Sequence, residues 1–412
     1  MPPRPLFVVT CCLAILGKTG LAQAIEWAAE PSIRAGLEYN DNLFLTTAQH
    51  ETVTGANLGV NLDLVARQEL WELRGGARLL SRRYQGREDL NTDDVFGTLG
   101  YYLNTDRNRW QLNASYASQS MLNSDTIDPD IGLTYKQTKR ATTTAIPAWT
   151  WLVTETTQLR LDYQFADVQY QEGASVNLLD YRQTATGLAL SDQISARTKI
   201  FAILNYSDFR VTTPEADIFA PYTAKSRTNT GQIGITHDFT ETLKGSLSGG
   251  PRKTVSDDVI YGLCGFSLCL VPVTPSTTTY GSVFAGSLES RLQLTSTTFR
   301  FSRAVSPSGS GSQVQSGNVY LGIQRQITPD RLSVWLTASG QAIRAIGPTT
   351  SNVDRNYYRL EPGLRWRWTE DLAVEATYRY ARQRYVDADN VAAANSVNLV
   401  FTYIVPKFSI SR

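Results

Sequence analysis

Apolar and polar residues alternate along this chain in runs of roughly ten, each followed by a short turn or a longer loop. Leu58, Val60, Leu62, Leu64 and Ala66 are interleaved with Gly59, Asn61 and Asp63, and Asn57 precedes them. Trp71, Leu73, Gly75, Ala77 and Leu79 alternate with Glu72, Arg74, Gly76 and Arg78. Leu360, Pro362, Leu364, Trp366 and Trp368 alternate with Arg359, Glu361, Arg365 and Arg367. Pleating sends the two sets to opposite faces, so each run predicts a strand with one apolar and one wet face.

The pattern yields about eighteen strands, with sixteen as the alternative count. Their connections fall into two classes. Those after even-numbered strands are tight and polar: Thr105 to Asn108, Thr240 to Thr242, Thr328 to Asp330, and Thr369 to Asp371. Those after odd-numbered strands are long, such as Leu122 to Thr138, Gln171 to Asp180, Val211 to Ala224, Lys253 to Thr278 and Arg344 to Val353. This asymmetry predicts a single antiparallel β-barrel of the bacterial outer membrane, with tight turns and both termini in the periplasm. A soluble β-sandwich has shorter strands, typically ~5 to 6 residues. A parallel β-helix requires a short fixed repeat, and none is present. Trp71, Trp110, Trp149, Trp151, Trp366, Trp368, Tyr380 and Tyr403 lie near strand ends, where interfacial girdles form.

The first residues have another pattern. Arg4 precedes an apolar run from Leu6 to Leu16, and Ala22-Gln23-Ala24 makes a small-x-small site, so residues 1–24 are expected to be a signal peptide and 25–412 the barrel. No later segment has the ~18 to 20 consecutive apolar residues of a spanning helix.

Composition removes several function classes. Lys and Arg number 39 and Asp and Glu 38; loss of Arg4 and Lys18 leaves 37 against 38, a balance that excludes a nucleic-acid partner. Cys264 and Cys269 remain after the leader and are expected to form a disulfide closing a small loop, zinc being the weaker alternative without nearby histidine. The two histidines, His50 and His237, offer no catalytic base within a serine or carboxylate constellation; Asp238 beside His237 points to the other face. No catalytic residue, metal site or cofactor is therefore expected. The pairs Asp93-Asp94 and Asp257-Asp258 are read as solvated loop charge, with loose divalent-cation binding as the alternative.

The wet face carries the main clue. If the apolar set meets lipid, the lumen receives Arg74, Arg78, Arg82, Arg160, Arg300, Arg359, Arg365, Arg367 and Arg379, among Asp63, Glu72, Asp162, Glu361 and Glu375. These residues are either ion pairs that hold the wall or a track for carboxylate and phosphate groups. Tyr84, Tyr102 and Trp335 share that face, where they either stack on sugar rings or pack against an inserted loop.

Two motifs add a resemblance. Gly36-Leu37-Glu38-Tyr39-Asn40-Asp41-Asn42-Leu43-Phe44 and Ser302-Arg303-Ala304-Val305-Ser306-Pro307-Ser308-Gly309-Ser310-Gly311, the latter followed by the Thr328 to Arg331 turn, resemble segments of outer-membrane β-barrel porins found with exopolysaccharide and exosortase systems. The resemblance implies a barrel in outer-membrane lipid, without enzymatic activity, that is associated with making or exporting surface polysaccharide. The expected function is a porin-like channel passing anionic solutes or an acidic polysaccharide. The alternative is a non-conducting scaffold in a polysaccharide-export machine. One departure concerns the carboxyl end, where Pro406 interrupts the ladder. Unbroken alternation from Leu399, Phe401 and Tyr403 would turn Phe408 into the lumen, so the barrel is expected to close near Tyr403.

Overall fold

The computed structural model describes residues 25–47, 50–121, 137–171, 173, 178–212, 223–257, 276–309, 311, 313–346, 354–386 and 390–411, and the backbone of 260–264 and 267–273. The leader assigned to residues 1–24 lies outside the described residues. In chain order the strands are β1 (Glu26–Asn40), β2 (Val53–Arg67), β3 (Trp71–Tyr84), β4 (Thr92–Asn104), β5 (Asn108–Ser120), β6 (Lys139–Leu152) and β7 (Thr157–Tyr170). Next come β8 (Tyr181–Ser195), β9 (Thr198–Thr212), β10 (Thr223–Asp238), β11 (Leu243–Asp257), β12 (Ile260–Cys264), β13 (Ser267–Val273) and β14 (Ser276–Arg291). The last are β15 (Thr295–Pro307), β16 (Gln313–Thr328), β17 (Leu332–Ala345), β18 (Arg355–Arg367), β19 (Leu372–Tyr385), β20 (Val391–Ile404) and β21 (Phe408–Ser411).

The strands β12 and β13 form a separate hairpin. Among the long strands every sequence neighbour pairs antiparallel, and β1 returns to pair with β20, closing an 18-strand barrel. Closure removes the free edges that an open sheet would present to lipid. The start of β1 and the end of β21 lie at the end with the tight turns.

Alternation sets the two faces. Leu58, Val60, Leu62 and Leu64 on β2 point outward and are exposed, as are Leu188 and Leu190 on β8, Ile233 and Ile235 on β10, and Leu360 and Leu364 on β18. Seven of the eight tryptophans, Trp27, Trp71, Trp110, Trp149, Trp151, Trp366 and Trp368, stand on this outer face at the tight-turn end. Trp110 and Trp149 are 5.8 Å apart, and so are Trp366 and Trp368. Tyrosines Tyr39, Tyr116, Tyr206, Tyr280 and Tyr358 lie exposed toward the other end. Indole and phenol rings with one wet edge mark the two borders of an apolar band.

The carboxyl end departs from the expected closure near Tyr403. After β20, the chain breaks at Pro406 and resumes as β21, which pairs with the start of β1. Ile404 is opposite Ser32, whereas Phe408 is opposite Ala29. The register has slipped by one residue, and in a strand a one-residue slip exchanges the faces. Phe408 and Ile410 are thereby outward and 64% and 61% exposed. The break corrects the alternation, so Phe408 faces lipid rather than the lumen.

Candidate functional site: the barrel lumen

Register places Arg74, Arg78 and Arg82 of β3, Arg160 of β7, Arg300 of β15, Arg359, Arg365 and Arg367 of β18, and Arg379 of β19 on the inner face. Several have acidic partners on the same wall. Arg74 is paired with Glu72. Arg160 is 3.4 Å from Asp162, Arg300 is 3.0 Å from Glu289, and Arg379 is 2.6 Å from Glu361. Arg78 lies 4.3 Å over the Phe96 ring, a cation–π contact. Among the described residues Arg365 and Arg367 make no ion pair, although Glu375 is the ladder partner of Arg365. These two stand near the tight-turn end of the lumen, where the backbone N–H of Arg367 donates to the Arg331 carbonyl.

Arg82 behaves differently. It lies buried at the opposite end, 2.8 Å from an Asp94 carboxylate that is 1% exposed, and Asp94 also accepts the Ser120 backbone N–H at 3.0 Å. The Asp93-Asp94 pair is therefore split by the pleat. Asp93 faces out to Arg83 and Ser81 at 2.8 and 2.7 Å, whereas Asp94 is sealed inside. Only Asp93 is the solvated charge that the sequence suggests. Asp258 lies outside the described residues.

The long-loop end of the lumen is packed. Leu43, Val53, Tyr84 and Leu90 form one buried cluster, Leu45 joins Tyr357, Ala381, Ala392 and Ala394 in a second, and Met121, Val168, Tyr170, Leu178, Tyr181, Phe209 and Val211 form a third. Each combines inner-face strand residues with residues of a loop. Loops thus turn inward, and Tyr84 packs against them instead of lining an open wall. Tyr102 donates to Asn113 Oδ1 at 3.1 Å, with the Arg74 guanidinium 5.9 Å from its ring. Trp335, the one tryptophan on the inner face, lies flat over Gly363: a Cβ built there would meet Trp335 Cζ2 at 2.2 Å.

Sequence reasoning missed further inner-face cations. Arg355, 1% exposed, shares the parity of Arg359 and Arg365 and was readable by the same rule. Arg252 is also buried, but it lies on β11, whose Gly-Ser-Pro content hides the alternation. His237 is on the outer face with its Nδ1 2.9 Å from the Thr198 hydroxyl, and Asp238 faces Lys244 inside at 3.5 Å. Cys264 ends β12 opposite Ser267 of β13; the side chains of Cys264 and Cys269 lie outside the described residues.

No family model matches the chain, and no curated protein does. Among solved structures it is similar to the ferric-catecholate import receptor Fiu of E. coli K12 (11% identity, TM-score 0.47, 91% of this chain and 81% of that one). It is also similar to OccAB3 of Acinetobacter baumannii (10%, 0.45, 93% and 99%) and OccK11 of Pseudomonas aeruginosa (12%, 0.42, 93% and 96%). The architecture itself is fixed by the strand pairing. A closed barrel with an apolar outer band, aromatic borders and a charged interior defines a membrane-spanning β-barrel of the bacterial outer membrane, the membrane where such barrels reside.

Proposed function

We propose that the barrel is a porin-like channel whose lumen favours anions. The observation that carries this reading is the pair Arg365 and Arg367, inward, unpaired among the described residues, and situated at the tight-turn end, away from the buried clusters that the described loop residues form. Barrels of 16 to 18 strands are wide enough for an aqueous path, and unpartnered guanidinium groups concentrate anions by raising the local potential. Arg160, Arg300 and Arg379 hold the wall through their carboxylate partners and leave the field net positive near β18. Purified protein in planar bilayers under a salt gradient should give a reversal potential of anion-selective sign. Arg365→Gln with Arg367→Gln should move it toward zero, and an unchanged potential would return both residues to a structural role.

A finer reading is an acidic saccharide as solute, supported by Trp335 and Tyr102 on the same wall as the arginines and by the resemblance of two motifs to segments of exopolysaccharide-associated barrels. The second reading, a non-conducting scaffold for a polysaccharide-export machine, draws support from the packed loop end. A barrel that stays electrically silent after loop trimming would favour it.

A further inference from the structure

The ladder between β14 and β15 stops early. It runs from Arg291↔Ser296 to Phe284↔Arg303, yet β14 continues through Val283 toward Ser276 and β15 through Ala304 to Pro307. Beyond the split, β14 stays with β11 and β15 stays with β16. Among the described residues the stretch Val283, Ser282 and Gly281 has no ladder partner on the β15 side, although the Val283 side chain is buried at 5% exposure. A strand stretch without a ladder partner is an unusual thing for a barrel to keep.

The end of the β15–β16 hairpin has gone inward instead, and specific bonds hold it there. Gln313 Oε1, on a side chain 3% exposed, accepts from Ser226 Oγ at 3.0 Å and Thr228 Oγ1 at 2.9 Å on β10. Thr228 is bonded to Thr254 at 2.9 Å, whose hydroxyl accepts from Arg252 Nη1 at 2.9 Å. The Leu179 backbone N–H donates to the Gly309 carbonyl at 2.7 Å. Gly309 touches Tyr170 and Leu178 so closely that a Cβ there would meet the Tyr170 hydroxyl at 2.5 Å. The hairpin end is thus tied to strands on another part of the wall and completes the packed end of the lumen.

We propose that this hairpin end is a gate that opens by re-pairing with β14. Continuing the observed register brings Ala304 opposite Val283, Val305 opposite Ser282 and Ser306 opposite Gly281. The closed state has the Gln313 bonds and the Gly309 contact, and the open state has the added ladder bonds. The two states trade one hydrogen-bond set for another, as a two-state element does. The inference rests on the lumen being a path for solutes, but its structural half is testable separately.

Two readouts test it in the full-length barrel reconstituted in liposomes. In Val305→Cys/Ser282→Cys, oxidation should form a disulfide between the two introduced cysteines, detected by mass spectrometry of the linked peptides, because the open state places them side by side. In planar bilayers, Gln313→Ala should raise the time-averaged conductance several-fold, and oxidised Val305→Cys/Ser282→Cys should hold the high-conductance level. Absence of the linked peptide while reduced controls are fully labelled by a thiol reagent would overturn the gate. A linked peptide in a barrel that conducts nothing would retain the re-pairing and reject the channel. Unaltered conductance of Gln313→Ala, in a barrel that does conduct, would also overturn the gate.

Discussion

The carboxylate of Asp41 accepts two hydrogen bonds from Asn395, from the backbone N–H at Oδ1 and from the side-chain amide at Oδ2, each 2.7 Å long. Asp41 follows β1 and Asn395 lies in β20, so the clasp fastens the seam where the barrel closes on itself. The next residue reinforces it: Asn42, 1% exposed, donates through Nδ2 to the Ala393 carbonyl at 2.8 Å. The Asp41-Asn42 motif therefore has a mechanical reason that does not depend on any ligand. Asp41→Ala and Asn395→Ala should each lower the heat-modification midpoint of the folded band on gels. Each should cost on the order of 2 kcal/mol, the scale of hydrogen bonds to a charged group. The double variant should cost less than the sum; strict additivity would mean that the two residues do not act together.

Arg82 and Asp94 should respond more severely. Arg82→Ala strands a buried carboxylate, a class of change worth about 3–5 kcal/mol, and should sharply lower the urea midpoint. Arg82→Met with Asp94→Leu removes both charges and should recover much of that loss. If the single and double variants are equally unstable, packing rather than charge governs the site.

Gly363 provides the room in which the Trp335 indole lies against the wall. Gly363→Val should force the ring into the lumen and reduce single-channel conductance, and adding Trp335→Ala should restore it. A reduced conductance that persists in the double variant would place the effect on the backbone instead.

The register slip before β21 predicts a phase-dependent deletion. Removing Lys407 shortens the break by one residue and should turn Phe408 and Ile410 inward, lowering the yield of folded barrel. Lys407→Ala keeps the phase, loses only the 2.7 Å pair with Glu30, and should assemble normally. Equal yields from the two variants would remove β21 from the closure.

At the β3–β4 loop, Arg87 donates to Asp89 at 2.9 and 2.8 Å and also bonds Glu51 of the β1–β2 loop. The hydrogen bonds from Arg87 hold the Asp89 carboxyl below its usual range. A lowered folded-state value means that the contribution is complete above the unfolded pKa, ~3.9, and is lost as pH falls through the lower folded value. The opening free energy reported by amide exchange at Leu90, whose N–H donates to the Arg87 carbonyl, should be flat from pH 7 to about pH 4 and fall only in more acid solution. A fall beginning near neutrality would assign the protection to another group.

Fold and faces were legible early because they depend on local rules. Period-two alternation fixes which side chains share a face, and the lengths of the connections fix which end carries the loops. The sequence could not assign the fate of the inner face at the loop end. Arg82 and Arg365 both fall on the inner face, yet one is sealed against Asp94 and the other is unpaired among the described residues, because the described loop residues pack the end of the lumen where Arg82 lies. The same holds for Tyr84, for the split between β14 and β15, and for the slip that returns Phe408 to the outer wall. These depend on contacts between residues far apart in sequence and on single-residue register shifts. A periodic pattern does not encode either one; only the closed barrel, which brings Gln313 to Thr228 and Asp41 to Asn395, decides them.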